Sequence, residues 1–311
     1  MSCKVTITRD HEGRRLDRTI RSIWPALPLS AIMRGLRRGD VRLDAVRVRD
    51  GGTRVSAGQE LFVPWEDPAE ETHRVRARGT VPVIWRGENA LVIDKPANLL
   101  VQPDVKDGDS VVSRVWAMFG AGGLGFSPAA VHRLDRNTTG VLIVALSGEG
   151  LRGLELLFKE RRVDKRYLAV VAGETPPEGI VDAPLAKDET GNIVRVEGDG
   201  KTARTRYRRL AAGEGLSLVS IELLTGRTHQ ARVHMAHIGH PILGDRKYGD
   251  IGANRLWRAE ARRPLLHARE LIFPKDLSGP LSELAGKTFR ADLPADMRAI
   301  IAKQGWPENA R

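Results

Sequence analysis

Five apolar runs of strand length punctuate residues 81–224: VPVIW, NALVID, GVLIVAL, YLAVVAG and LSLVSIELL. Rich in Val, Ile and Leu and bounded by Gly, Pro, Asn or charged residues, they read as strands of one sheet. Helical patterns at about 110–119, 150–160 and 230–238 interrupt them. The alternation predicts an α+β domain built on a curved, mixed, largely antiparallel sheet. No window approaches the roughly 18 to 20 apolar residues that cross a bilayer. The opening MSCKVTITRDHEGRRLDR lacks the apolar core of a signal peptide. Cys3 is the only cysteine, so neither a disulfide framework nor a thiolate metal site is available. A cytoplasmic protein away from membranes is expected.

With 311 residues the chain is comfortable for two domains. Residues 1–64 read as a separate small module. Leu16, Ile20, Ile23 and Trp24 lie at helical spacing, a turn follows at Pro25 to Pro28, and a second short helix carries Ile32, Met33 and Leu36. Val41, Leu43 and Val46 then sit among turn residues, and Asp50-Gly51-Gly52 breaks the run before a last strand at Leu61 to Val63. Residues 65–79, WEDPAEETHRVRARG, have no apolar period and read as a linker, leaving 80–311 for the larger domain.

Charge points to a polyanionic partner. Fifty Lys and Arg against thirty-nine Asp and Glu leave +11, and residues 1–64 hold thirteen of the basic and seven of the acidic residues. A fifth of the length thus carries +6 of the excess. Each phosphate neutralised by such a surface adds counterion-release free energy, and arginine, which dominates, suits phosphates and base edges. The N-terminal segments Arg15-Leu16-Asp17, Leu36-Arg37-Arg38-Gly39-Asp40-Val41 and Ala57-Gly58-Gln59-Glu60-Leu61 resemble an S4 RNA-binding domain. Leu43-Asp44-Ala45 stands where that family carries a small polar turn residue. The resemblance implies RNA contacts from Arg37 and Arg38.

The chemistry concentrates in VHRLDRNTTGVLIVAL, residues 131–146. A polar loop with His132, Arg133, Asp135 and Arg136 runs through Gly140 into an apolar strand. A carboxylate between two arginines is expected to be ionised at neutral pH, fit to act as nucleophile or base. The bland reading of such an Asp is a turn cap or a surface ion pair. The whole segment, however, closely resembles the catalytic motif of RluA-type pseudouridine synthases, which implies that Asp135 is the catalytic carboxylate. Lys165-Arg166-Tyr167-Leu168-Ala169 matches the family's basic-Tyr strand start, so the resemblance has Tyr167 stack on the target uracil and help in proton removal. Gly226-Arg227-Thr228-His229-Gln230-Ala231-Arg232-Val233-His234 matches a third motif. The family's active-site basic residue maps onto Arg232, with Arg227 as competitor and otherwise a phosphate ligand. Lys95-Pro96 resembles the family's Lys-Pro turn, with Asn98 and Gln102 where glycine and histidine are usual. Leu266-His267-Ala268 resembles its C-terminal strand, although the usual His-Pro ending is here Pro274-Lys275.

The family reading implies a monomeric enzyme that needs no cofactor, because isomerising uridine leaves composition unchanged. Its RNA ligands include Arg133, Arg136, Arg227 and His132, with Arg133 filling the space vacated by a flipped base or holding the neighbouring phosphate. The S4 module and the GHPILGDRKYGD context point to large-subunit ribosomal RNA rather than transfer RNA. Two other readings compete. His229, His234, His237 and His240 fall within twelve residues and could suggest zinc, but the pattern is not H-E-x-x-H, and Arg227 and Arg232 put positive charge where a dication would sit. A non-catalytic RNA-binding or ribosome assembly factor would account for the charge and the S4-like module, though not for Asp135, Tyr167 and Arg232 together.

Overall fold

The computed structural model describes residues 3–24, 27–65, 77–103, 108–119, 126–188 and 193–307. The start of the proline turn at Pro25 and most of the expected linker, residues 66–76, lie outside them.

Near the N-terminus, β1 (Cys3–Thr6), α1 (Leu16–Ile23), α2 (Leu29–Arg38), β2 (Arg42–Leu43), β3 (Val46–Arg47) and β4 (Glu60–Val63) form a unit with its own sheet, ordered β1-β4-β2-β3. Its core is separate: Val5, Leu16, Ile20, Ile32, Leu36, Val41 and Leu61 are all buried together. Helix α2 ends where the Arg37-Arg38-Gly39 reading places its end. Gly39 takes φ 74, and its N–H closes the last turn onto Gly35 and Leu36 carbonyls. The hairpin β2–β3 turns through Asp44 and Ala45, both at positive φ, the geometry of a two-residue primed turn.

The larger body is a ten-stranded sheet. Its elements are β5 (Val83–Arg86), β6 (Ala90–Lys95), α3 (Val111–Phe119), β7 (Ala129–Ala130), β8 (Thr139–Ala145), α4 (Gly148–Lys159), β9 (Asp164–Ala172) and β10 (Glu178–Asp182). A small hairpin of β11 (Leu185–Lys187) and β12 (Val194–Val196) follows, then β13 (Arg204–Gly213), β14 (Leu216–Leu223), α5 (Gln230–His237), α6 (Ile251–Leu256), β15 (Leu266–Ile272), β16 (Thr288–Arg290) and α7 (Ala295–Lys303). The main path runs β10-β13-β14-β9-β15-β8-β6-β5, with β16 on β15 and β7 on β8. Every pairing of these strands is antiparallel except β8 with β15. The sheet is therefore mixed and largely antiparallel, as the apolar runs predict.

Central strands are continuous apolar runs because both faces are covered. In β8, Leu142 and Val144 face a core shared with α3 and α5, while Val141, Ile143 and Ala145 face one shared with α4. In β9, Tyr167, Ala169 and Val171 share the first core, and Leu168 and Val170 meet α7 on the other side. One row crosses four strands: Tyr167 pairs with Ala268, Ala268 with Gly140, and Gly140 with Lys95. Gly140 sits at φ 109, and a Cβ there would collide with the Ala268 carbonyl, so the β8–β15 approach needs glycine.

Candidate active site

Asp135 lies in the loop that feeds β8, with its carbonyl turned back to accept from Thr138 N–H at 3.1 Å. Leu134 anchors the loop in the core. From beneath, Lys95 fixes it. This side chain has no exposure, and its Nζ donates to the carbonyls of Pro96, Arg136 and Thr138 at 2.8, 2.9 and 2.9 Å. Burial and then the charge of Arg263 pull the Lys95 pKa down to about 7, against the lift from Asp135. A further strut is Leu99 N–H to the Arg136 carbonyl, 3.2 Å, from a turn in which Asn98 has φ 58. Asparagine thus stands in the left-handed conformation that glycine, usual there in the resembled family, adopts freely.

An open pocket of about 350 Å³ is lined by Asp135, Arg133, Tyr167, Arg227, His229 and Arg232, among others. Arg232, in the first turn of α5 and 9% exposed, reaches Asp135 Oδ2 with Nη1 at 3.1 Å. Its other edge donates from Nε and Nη2 to Asp245, at 2.7 and 2.8 Å. Burial opposes the guanidinium charge, but Asp245 and then Asp135 outweigh it, so the Arg232 pKa lies above the ordinary arginine value. Tyr167 is 5% exposed, and burial, reinforced by the charge of Asp135, raises its phenol well above the usual tyrosine range. It keeps its proton at neutral pH.

His229 sits in a left-handed conformation, φ 54, at the entry of α5. Its Nε2 is 3.9 Å from Asp135 Oδ2, beyond hydrogen-bond reach, and its Nδ1 is 2.9 Å from Tyr248 Oη. Burial, then Arg232 and Lys247, hold its pKa below the ordinary histidine value in spite of Asp135. Gln230 locks the preceding loop: its Oε1 accepts from the Thr225 hydroxyl and the Arg227 N–H, and its Nε2 donates to the Arg204 carbonyl and the Thr205 hydroxyl.

Of the residues singled out in sequence, Asp135, Tyr167, Arg232, Arg227 and Arg133 converge on this pocket. The ion pair with Asp135 falls to Arg232, while Arg227 donates through Nε to the Thr202 carbonyl. Arg136 is exposed and is not among the lining residues. His132 is likewise not among them. Its ring stacks on Phe158 at 4.7 Å and accepts from Ile143 N–H, and burial holds its pKa at about 3. Arg37 and Arg38 are exposed on α2, in the N-terminal unit. The crowded histidines are dispersed in space: His234 is buried between Thr205 and the Ala183 carbonyl, and His240 bonds the Ala172 carbonyl. Sequence reasoning passed over Asp245 and Tyr248; the only local signal was a polar pair set between Gly244 and Gly249.

Known proteins match this chain over most of its length. A family model described as RNA pseudouridylate synthase matches residues 89–237. Ribosomal large subunit pseudouridine synthase D of Zymomonas mobilis is 32% identical over 312 residues, covering 96% of this chain and 96% of its own. Ribosomal large subunit pseudouridine synthase C of Escherichia coli K12 is 35% identical over 299 residues, 90% of this chain and 91% of its own. Among solved structures, Human RNA Pseudouridylate Synthase Domain Containing 4 superposes with TM-score 0.57 at 28% identity, covering 72% of this chain and 93% of that one.

Proposed function

Because this chain belongs to the RluA-type RNA pseudouridylate synthase family and so is an isomerase of RNA uridines, we propose that it acts on large-subunit ribosomal RNA through Asp135, Tyr167 and Arg232. The names of its relatives support the ribosomal substrate. The observation that carries the site assignment is the partly exposed Asp135 carboxylate, held by Arg232 at 3.1 Å in a pocket that Tyr167 lines. A purely binding protein has no need of that constellation.

A uridine stacked in a helix is out of reach of this carboxylate, so it is flipped into the pocket, at a cost of roughly a few kcal/mol. Tyr167 stacks on the uracil. A phenol whose pKa is raised by burial is a poor base, which favours stacking over proton removal. Asp135, kept in place by Arg232, promotes cleavage of the N-glycosidic bond, by attack on sugar or base or by taking a sugar proton. The base then rotates and its C5 bonds to the sugar C1′, the C5 proton is lost and N1 takes up a proton, so that the composition is unchanged. Exposed Arg133 at the pocket rim fills the vacated stack or holds the adjacent phosphate, and Arg136 and Arg227 extend the basic surface. Residues 1–64 act as an S4 RNA-binding domain, with Arg37 and Arg38 on phosphates, residues 65–79 as linker and 80–311 as the synthase domain. The enzyme works as a cytoplasmic monomer. Among the described residues no helix is long and apolar enough to cross a membrane, which accords with that location.

The test is pseudouridine mapping on total cellular RNA by carbodiimide-stop sequencing, comparing wild type, a deletion strain and an Asp135→Asn complement. Specific ribosomal RNA positions should lose signal in both the deletion and the complement, while purified Asp135→Asn protein binds RNA with unchanged affinity. Unchanged signal at every ribosomal position, or a loss of binding as large as the loss of turnover, overturns the assignment.

A further inference from the structure

The catalytic carboxylate is met by only one of the two edges of Arg232. A free guanidinium prefers to grip a carboxylate with two parallel N–H···O bonds. Here the side-on edge, Nε with Nη2, is taken by Asp245, and of the N–H groups left on the guanidinium only one on Nη1 meets Asp135, at Oδ2. Asp245 is 1% exposed and holds its place through accepted bonds from Lys247 N–H and Tyr248 N–H, 2.9 and 3.2 Å. Its loop is pinned at both ends by glycine: a Cβ on Gly244 would strike the Arg263 carbonyl, and one on Gly249 the Asp245 carbonyl. The Tyr248 ring covers the guanidinium, with its centroid 5.1 Å from Cζ, and its hydroxyl is braced by Val194 N–H and His229.

We infer that Asp245, with Tyr248 over the guanidinium face, is a positioning residue for the isomerisation, a role that rests on the reading of Arg232 as the partner of Asp135. By occupying the side-on edge, Asp245 turns Arg232 end-on to Asp135. The contact steadies the carboxylate through Oδ2 and leaves Oδ1 outside the pair, available to the uridine. Without Asp245 the guanidinium is free to close both arms on Asp135 and engage the oxygen that the substrate needs. Tyr248 prevents the guanidinium plane from swinging out of line.

The test is a double-mutant cycle on the single-turnover rate, using an in vitro transcript of large-subunit ribosomal RNA that carries a mapped target uridine, with RNA affinity and thermal melting measured on each variant. Asp245→Asn should slow conversion on the order of a hundredfold, the scale of a displaced catalytic group, with RNA affinity unchanged. In an Arg232→Met background it should add no further loss, because there is no guanidinium left to orient. Tyr248→Leu leaves the buried carboxylate intact and serves if Asp245→Asn fails to fold. It should cost about fivefold, the scale of one cation–π contact, and that loss too should vanish with Arg232→Met. A wild-type rate in Asp245→Asn, or equal losses in both backgrounds for whichever variant folds, overturns the inference and leaves Arg232 standing. A wild-type rate for Arg232→Met alone overturns the Arg232 reading and the inference with it.

Discussion

Lys95 is fully buried where three carbonyls each take a donor, and its ammonium form has three N–H bonds to give from a single nitrogen. The cost of burying it sets a pH dependence. Its pKa falls to about 7 in the folded protein, against roughly 10.4 for an unperturbed lysine. Below pH 7 both states are protonated and the burial cost is fully present. Between pH 7 and 10 the unfolded chain binds a proton that the folded one has lost, so this group adds stability as pH rises, by up to about 1.4 kcal/mol per unit. Lys95→Met does not titrate. The unfolding free energy of wild type minus that of Lys95→Met, from urea unfolding, should therefore rise from pH 7 to 10, and a difference that stays flat or falls would refute the buried-lysine account. Side chains of this kind divide into legible and illegible ones. Asp135 and Tyr167 stand in long motifs whose neighbours identify them. Lys95 is visible only as half of a Lys-Pro turn, and Asp245 only as a polar residue after a glycine. Their partners, carbonyls of the 135 loop and an arginine thirteen residues upstream, are matters of tertiary contact with no local pattern.

Among elements, register decides more than propensity does. Tyr167 reaches the pocket because β9 pairs in the one register that puts it beside Ala268, and a slip of one residue would turn it to the opposite face. On that opposite face the adjacent row reads Arg206, Glu222, Arg166, Glu270 and Arg290 across β13, β14, β9, β15 and β16. Signs alternate along the whole ladder, with Arg290 on Glu270 at 2.6 Å and Arg166 at 3.6 Å. Glu270→Lys would place three positive charges side by side. With both arginines more than half exposed, screening limits the cost to about 1 to 2 kcal/mol, and it should shrink at 1 M salt. Urea unfolding at low and high salt checks this; a salt-independent loss would mean that packing rather than charge is responsible. The ladder also explains which strands could be read in advance. The apolar runs became β5, β6, β8, β9 and β14, and helices at 111–119, 148–159 and 230–237 fall where helical patterns were expected. Strand β13, RTRYRRLAAG, has no such run. It is a strand because Thr205 and Tyr207 are buried while arginines alternate outward against charged neighbours, a pattern that sequence alone presents as a basic stretch.

At the scale of the whole molecule, the N-terminal unit rests on the synthase body. The expected linker, residues 65–79, lies mostly outside the described residues, but the unit itself meets α4 directly. Asp10 Oδ1 accepts from Gly148 N–H at 2.9 Å, at the positive end of a twelve-residue helix, and a Cβ on Gly148 would collide with Asp10 backbone. That contact places residues 1–64, of charge +6, against a remainder of the chain, residues 65–311, of charge +5, an arrangement that under the proposed function presents both to one RNA. Deleting residues 1–64 should then weaken RNA binding roughly tenfold or more at physiological salt. It should also flatten the dependence of log affinity on log salt, by about 0.7 for each phosphate of single-stranded RNA that the protein no longer neutralises. Because α4 packs on the sheet through Leu154 and Leu157, which do not depend on the N-terminal unit, the truncated protein should keep its fold. Its single-turnover rate at saturating RNA should stay near that of the full chain, since no described N-terminal residue lines the Asp135 pocket. Filter binding from 50 to 300 mM salt, beside saturating single-turnover kinetics, separates the two effects. An unchanged slope would mean that the unit does not touch the substrate. A collapse of the saturating rate would mean that its seat on α4 holds the catalytic body in shape, and that the fold, rather than the charge, is what the module supplies.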